Sequence, residues 1–199
     1  MTGQDIIERF QEQIDDSSEL SSSEELDLCN EIYQEIQDDR DWNFLKKTFT
    51  GNTSTSLPYV ALPADFKKLA FNYNDEQVVF VGAYFTPYRV IPFEERRAYR
   101  DWNNVCYVDL VTNRLYFTKQ PTTVEAIEYD YIMVAPVLTT STSPVFPRNH
   151  QIISYGMAAK FPSIEQADKG TSYANENKRE YLKLLSDMAT QDALLKLSI

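Results

Sequence analysis

The one histidine and two cysteines of this 199-residue chain are the first residues to test for catalytic or metal-binding chemistry. His150 follows Arg148 and Asn149 at a predicted helix start, and the sequence offers no Cys–His or Ser–His pair typical of an activated nucleophile. One histidine with the separated Cys29 and Cys106 does not make a zinc set. We therefore interpret His150 as a surface or helix-capping residue and both cysteines as small buried hydrophobic residues.

Carboxylates are the second source of chemistry. Asp39, Asp41 and Asn43 begin like a calcium-binding loop, but Phe44 stands where that loop requires glycine and Thr50 where it requires glutamate. These two departures exclude an EF-hand site.

Adjacent acids occur in four doublets, at predicted helix ends or exposed faces: Asp15-Asp16, Glu24-Glu25, Asp38-Asp39 and Glu94-Glu95. Neighbours in a helix point about 100° apart and do not share a proton. The five glycines form neither G-x-G-x-x-G nor a Walker-type phosphate loop. The sequence therefore predicts no catalytic residues, no metal, no cofactor and no enzyme activity.

Charge and hydropathy narrow the class of protein further. The net charge of −11 disfavours non-specific binding to nucleic acid, whereas the 43% of hydrophobic residues is enough for a substantial core. No apolar run approaches the roughly 18 residues of a membrane span. The first residues lack the basic start and apolar centre of a signal peptide. We expect a soluble protein, made in the cytosol, that does not bind membranes.

Apolar spacing predicts helices near both ends of the chain. One covers about residues 3–16, and a second runs to about Asp39 after the overlapping capping-box patterns Ser21-x-x-Glu24 and Ser22-x-x-Glu25. Two more are expected at about residues 152–160 and 172–197. Between them, aromatic and β-branched residues predict strands, including a hairpin around Thr112-Asn113 and an alternating strand at 125–134. This order predicts an α+β fold: a helical body of residues 1–40 and 147–199 with a β-rich insertion at 41–146.

The most distinctive corner of the chain is Leu62-Pro63-Ala64-Asp65-Phe66. Pro63 suits the first position of a helix, and Asp65 would place negative charge on the unpaired amides of the first turn. We therefore expect a strand that ends at Leu62 and passes into a helical turn. Phe66 and Leu69 would then lie in the core, with Asp65 as a cap and not a catalytic acid.

The end of the last predicted helix is apolar on nearly every side. The residues responsible are Leu194, Leu195, Leu197 and Ile199, beside Ala193. Such an end must be buried either in the protein's own core or against a partner. Both alternatives remain open, and the second makes these four residues a candidate partner interface.

Several of these features in order resemble the head-to-tail adaptor (connector) proteins of tailed bacteriophages. They are the helix pair ending in Trp42-x-Phe44, the corner with Leu62, Pro63, Asp65 and Phe66, the hairpin Leu110–Phe117, the strand around Tyr129, and the two final helices. The resemblance implies a structural virion protein at the neck, synthesised in the host cytoplasm. It implies a ring of about twelve copies that docks on the portal protein and receives a downstream tail protein. Genomic DNA would pass through the extended channel without specific binding, and an acidic lining would limit its sticking.

Two other classes remain as alternatives. One is another neck or tail component, such as a tail-completion or terminator protein, which would contact the tail tube and not the portal. The other is a virion-associated hydrolase, which would have to use the β-rich aromatic middle of the chain. The absence of a recognisable acid pair in the sequence weighs against the hydrolase.

Overall fold

The computed structural model describes residues 1–14, 20–72, 74–161 and 170–196. It is an α+β structure with four α-helices and one large mixed sheet among these residues. The chain divides into two compact units. The helical unit comprises Met1–Leu45 and Ala135–Ile199, and the sheet unit comprises Lys46–Val134.

The helical unit contains α1 (Gly3–Ile14), α2 (Ser22–Asp38), α3 (Gln151–Lys160) and α4 (Gly170–Lys196). A short 3₁₀ helix, Asn43–Leu45, follows α2. The predicted capping box at the start of α2 is confirmed for Ser21 and Glu24, because each side chain bonds the backbone amide of the other residue. The capping box therefore fixes the residue at which α2 begins.

Helix α3 lies in the middle of this unit and contacts α1, α2 and α4. Gly156 makes the approach possible, since a Cβ atom there would stand 2.5 Å from Cγ2 of Ile32 and 3.1 Å from the Tyr181 ring. Gly156 therefore allows α3 to pack closely against α2 and α4. The core around α3 is built from Ile6, Phe10, Cys29, Ile32, Ile36, Ile152, Met157, Leu184 and Met188, all of them buried.

The long connection from Ala135 to α3 packs on α2 of the same unit. Asn30 donates to the Leu138 carbonyl at 3.1 Å and accepts from its amide at 2.8 Å. The Tyr33 hydroxyl accepts from the Val145 amide, and the Tyr33 ring contacts the buried ring of Phe146. Side chains of α2 thus satisfy backbone groups of a segment that has no regular structure of its own.

The sheet unit has eight strands: β1 (Lys46–Asn52), β2 (Tyr59–Ala61), β3 (Phe66–Leu69), β4 (Val78–Val81), β5 (Thr86–Val90), β6 (Val105–Asp109), β7 (Arg114–Phe117) and β8 (Ala126–Met133). The strand order is β1-β8-β4-β5-β6-β7-β2, with β3 also paired to β8. Among the described strands, only β5 and β6 pair in parallel. Strand β8 is central, since it pairs with β1 on one side and with β3 and β4 on the other.

One face of the sheet is buried. The alternation predicted for β8 is confirmed, because Ile127, Tyr129, Tyr131 and Met133 are buried while the residues between Ile127 and Tyr131 are only half-buried. The predicted β6–β7 hairpin is also present, with Asn113 in the left-handed region at φ 53°. The other core side chains of this unit include Val79, Val81, Ile91, Cys106, Leu115 and Phe117.

The corner at Leu62–Phe66 differs from the prediction. It joins β2 to β3 through a turn in which the Phe66 amide donates to the Pro63 carbonyl at 3.1 Å, and no helix forms. Pro63 is the first residue of this turn, where its carbonyl is the acceptor and its missing amide is not needed, so the proline fits a turn as well as a helix start. Leu69 is buried as expected, and Leu62 is buried too, but Phe66 is only half-buried and stacks on Tyr131.

Candidate functional site

His150 has no role in capping α3 through its side chain. Its Nε2 lies 2.7 Å from the Phe146 carbonyl, to which it donates, and its Nδ1 lies 3.3 Å from the amino group of Met1. Both nitrogens of the half-buried ring therefore have partners within the helical unit. This arrangement holds the start of α3 against the N-terminus and leaves the imidazole no free nitrogen to act as a general base.

Cys29 and Cys106 are free thiols and both are buried, as the sequence predicted. Burial raises the pKa of each thiol to about 12. Because the thiolate is the nucleophile and the metal ligand, neither side chain is chemically activated. They act as core residues, one in α2 and the other in β6.

Asp65 makes an ion pair and does not cap a helix. Its carboxylate lies 2.8 Å from the Lys47 ammonium and accepts from the Tyr131 hydroxyl at 2.9 Å. The hydrogen bond from Lys47 is the main cause that lowers the pKa of Asp65. The Asp65 carbonyl also accepts from the Val134 amide at 2.7 Å. These bonds tie the corner to β1 and to the end of β8, so the corner is structural.

No group of three or more His, Cys, Asp or Glu side chains that could hold a metal ion occurs among the described residues. In the same part of the chain, no helix is long and apolar enough to cross a membrane.

The clearest surface feature of the helical unit is an open groove of about 590 Å³ along the last turns of α4. We call it the C-terminal groove. Leu182 and Leu194 are 52% and 60% exposed, on a helix that already buries Leu184 and Met188. The groove is lined by Arg40, Leu182, Leu185, Ser186, Ala189, Thr190, Ala193 and Leu194.

Two contacts hold this groove in place. The carboxylate of Asp192 accepts from the backbone amide of Asn43 at 2.9 Å and from its side-chain amide at 2.9 Å. Arg40 lies with its guanidinium carbon 4.9 Å from the Trp42 ring centre, and Trp42 is itself buried and bonded to the Ile36 carbonyl. The end of α4 is therefore fixed by the half-buried Asn43, and the guanidinium at the groove lies against the buried Trp42.

The predicted interface residues only partly fall on this groove. Leu194 lines it, whereas the side chain of Leu195 and the whole of Leu197 and Ile199 lie outside the described residues. The sequence reasoning missed Leu182, Ala189 and Arg40. A second apolar stripe at 182, 185, 189 and 193 has helical spacing and could have revealed the first two, but Arg40 comes from another element and carries no such signal.

The sequence profile of the SU10 adaptor protein family matches residues 1–196, nearly the whole chain. The chain belongs to this family. Membership points to a structural, non-enzymatic phage protein and to a virion component. No curated protein gives a significant match to the sequence.

The sheet unit carries a row of aromatic side chains, the feature on which the hydrolase alternative depends. Tyr59, Tyr116 and Tyr107 lie side by side on β2, β7 and β6, with ring centres 5.3 and 5.4 Å apart, and Phe93 continues the row. The Arg114 guanidinium lies 3.9 Å from the centre of the Tyr59 ring, and that of Arg96 lies 3.8 Å from Phe93. Tyr107 and Tyr116 stack, the other two ring pairs meet at an angle, and the two arginines lie over the end rings, so the row stabilises strand pairing.

Exposed apolar side chains in the sheet unit of the adaptor lie at strand connections. Tyr84, between β4 and β5, is 95% exposed, and its neighbour Phe85 has a left-handed φ of 49°. Val111, at the β6–β7 turn, is 96% exposed. A groove in this unit that Phe93 and Leu110 help to line has about 230 Å³, against about 590 Å³ for the C-terminal groove, which is therefore the better candidate for a partner.

Proposed function

We propose that this chain is the head-to-tail adaptor of its phage and that its copies form a ring of about twelve on the portal protein. The ring lies at the virion neck, receives a downstream tail protein and extends the channel for the genome. The helical unit serves as the body of each copy and the sheet unit as an insertion carried by that body. Membership of the SU10 adaptor family supports this assignment.

The observation that carries the proposal is the exposed apolar C-terminal groove. Two leucines of the groove are 52% and 60% exposed, and a partner that removes them from water lowers the free energy of the complex. The partner proposed is the portal, and Leu195, Leu197 and Ile199 continue the same apolar sequence beyond the groove. The channel is proposed to be lined by acidic side chains, because the net charge of −11 disfavours adhesion of DNA as it passes.

The test is binding of the full chain to the purified portal ring of the same phage, followed by the mass of the complex. The double variant Leu182→Asp, Leu194→Asp is expected to weaken binding at least about tenfold, because charges would have to be buried in an apolar contact. Val137→Asp is the matched control, since Val137 is 73% exposed in the same unit but lies outside the groove.

Three results would contradict the proposal. The double variant could assemble on the portal as well as the wild type, or the control could fail equally. The wild type could also bind isolated tails and not portals, which would favour a tail-completion protein. Unfolding curves of all variants should coincide with the wild type, because exposed side chains change the free energy of unfolding little.

A further inference from the structure

Strand β1 is a seven-residue edge strand whose outer side is open. Its hydrogen-bond pattern can be assigned residue by residue. The Thr53 amide donates to the Glu125 carbonyl at 2.8 Å, and the register continues without a break from Asn52 opposite Ala126 to Lys46 opposite Ile132. Since antiparallel pairs alternate, Gly51, Phe49 and Lys47 direct their backbone groups toward β8. The groups directed away from β8 are those of Lys46, Thr48, Thr50 and Asn52.

Contacts on the other side of β8 confirm this alternation. The Ala126 carbonyl accepts from Gly82, and the Asp130 carbonyl accepts from Ala70, so both point away from β1. Ala126 and Asp130 are the register partners of Asn52 and Thr48. The outward amides and carbonyls of β1 bond no other backbone group in the described part of the chain.

The two edge strands of the sheet are protected to different degrees against pairing with a further strand. The other edge, β2, has three residues between Pro58 and Pro63, and it turns only the backbone groups of Tyr59 and Ala61 outward. Short edge strands and prolines prevent further pairing. Strand β1 has no proline, and its register with β8 has no bulge. Both of its lysines are already paired, Lys46 with Asp130 and Lys47 with Asp65.

We propose that β1 is a strand-addition site and that its occupant is β1 of a second copy of this chain. An antiparallel two-fold pairing centred on Phe49 sets Thr48 opposite Thr50 of the second copy and Lys46 opposite Asn52 of the second copy. This register uses every outward group and gives about eight backbone hydrogen bonds.

Side chains in this register are mutually compatible. Lys47 faces Gly51 of the second copy, so no two like charges lie opposite one another, and the threonines form β-branched pairs. Phe49 is half-buried, stacks on Tyr129 with ring centres 4.8 Å apart, and meets its own equivalent at the two-fold axis. The pairing therefore buries apolar surface that a single copy leaves partly in water.

Pairing between β1 of one copy and β2 of the next fits less well. Strand β2 offers only two outward residues against the four of β1. The connection from the end of β1 at Asn52 to the start of β2 at Tyr59 is also short, so these two strand ends lie within about 24 Å of each other. A β1–β1 pair joins identical surfaces and closes after two copies, so it is a different contact from the ring contact in the proposed function, which joins unlike surfaces.

The test is the mass of the full chain in solution as its concentration rises. Thr48→Pro removes one outward amide while leaving the β8 side of the ladder intact, and edge strands accept proline at such positions. Thr48→Val is the matched control, because both changes remove the bond from Thr48 Oγ1 to Asp130 at 2.7 Å and only one removes the amide. We expect dimers for the wild type and the control, and a dissociation constant at least about tenfold higher for Thr48→Pro.

A second measurement uses only the wild type, so it tests the proposal even if Thr48→Pro does not fold. Amide exchange of the wild type should slow with rising concentration at Lys46, Thr48, Thr50 and Asn52, while Lys47, Phe49 and Gly51 stay protected throughout. A chain that remains monomeric without concentration-dependent protection overturns the proposal. So does a dimer that Thr48→Pro leaves unchanged, or one in which all seven amides respond alike.

Discussion

Asn43 and Asp192 form a four-bond contact between the 3₁₀ helix and the last turns of α4. The Asp192 carboxylate accepts from both nitrogens of Asn43, and the Asn43 side chain also donates to the Asp192 carbonyl at 3.0 Å. Asp192 is only 8% exposed, and Asn43 is half-buried. The contact therefore secures the helix end that carries the C-terminal groove.

Replacing Asp192 by alanine should lower the free energy of unfolding by about 1–3 kcal/mol, because a partly buried amide and a side-chain donor lose their acceptors. Urea unfolding of the full chain measures the change. Asp187→Ala is the control, since Asp187 lies exposed on the same helix and should change stability by less than about 0.5 kcal/mol. Equal effects of the two substitutions would contradict the role of the Asn43 contact.

The contact of Gly156 with Ile32 gives a second prediction. Gly156→Ala should destabilise the protein by about 1–3 kcal/mol, although alanine is the better helix former, because the added methyl group overlaps Ile32 and the Tyr181 ring.

A double-mutant cycle with Ile32→Ala isolates this steric cause. Removing the Ile32 side chain costs stability by itself, but Gly156→Ala should then cost less than in the wild type, or even stabilise the helix. A Gly156→Ala variant as stable as the wild type would show that α2 and α3 can move apart freely.

Elements specified by local chemistry were the ones that the sequence predicted best. The capping box of Ser21 and Glu24 fixed the start of α2, and the alternation of β8 identified its buried face. The corner at Pro63 was predicted wrongly because a proline with an aspartate two residues later fits a helix start as well as a turn that begins at the proline. What decides between them is the pairing of Phe66 with Met133 on β8, a contact between residues far apart in the sequence.

The residues of the C-terminal groove could likewise be predicted only where the signal lies within one element. Helical spacing on one element can identify Leu182 and Leu194, but the placement of Arg40 depends on its packing over Trp42. Asp65 makes contacts that no signal within one element could predict. Its partners Lys47 and Tyr131 come from β1 and β8, so no local pattern could assign its ion pair.

The two thiols provide a third prediction. Cys29 and Cys106 should react with a thiol-specific disulfide reagent only at the rate at which the protein opens, because both are buried and burial raises their pKa to about 12. Addition of denaturant should expose both thiols to the reagent together.

A variant with Ser186→Cys is the matched control, since position 186 is exposed on α4 and its thiol should react at once. Rapid labelling of either native cysteine under conditions where the unfolding curve shows a folded protein would contradict the buried positions.

Asp65 gives a prediction for the dependence of stability on pH. The hydrogen bond from Lys47, followed by that from Tyr131, lowers the pKa of Asp65 below its ordinary value of 3.8. A carboxyl with a lowered folded-state pKa contributes stability above its unfolded pKa and loses it as the pH falls through the folded value. We therefore expect Asp65→Asn to cost stability at neutral pH and to flatten the loss seen below about pH 4.

The hydrogen bond between Tyr131 and Asp65 also makes stability depend on alkaline pH, where the free energy of unfolding falls as the pH rises. Burial, aided by the bond to Asp65, raises the pKa of Tyr131 to about 12, above its ordinary value of 10.0. A tyrosine with a raised folded-state pKa stabilises the protein below its unfolded pKa, and this contribution is lost as the pH rises through the folded value. Urea unfolding between neutral pH and pH 12 should show a decline that Tyr131→Phe reduces and Asp187→Asn leaves unchanged. An alkaline decline identical in Tyr131→Phe would assign it to other groups and contradict the coupling of Tyr131 with Asp65.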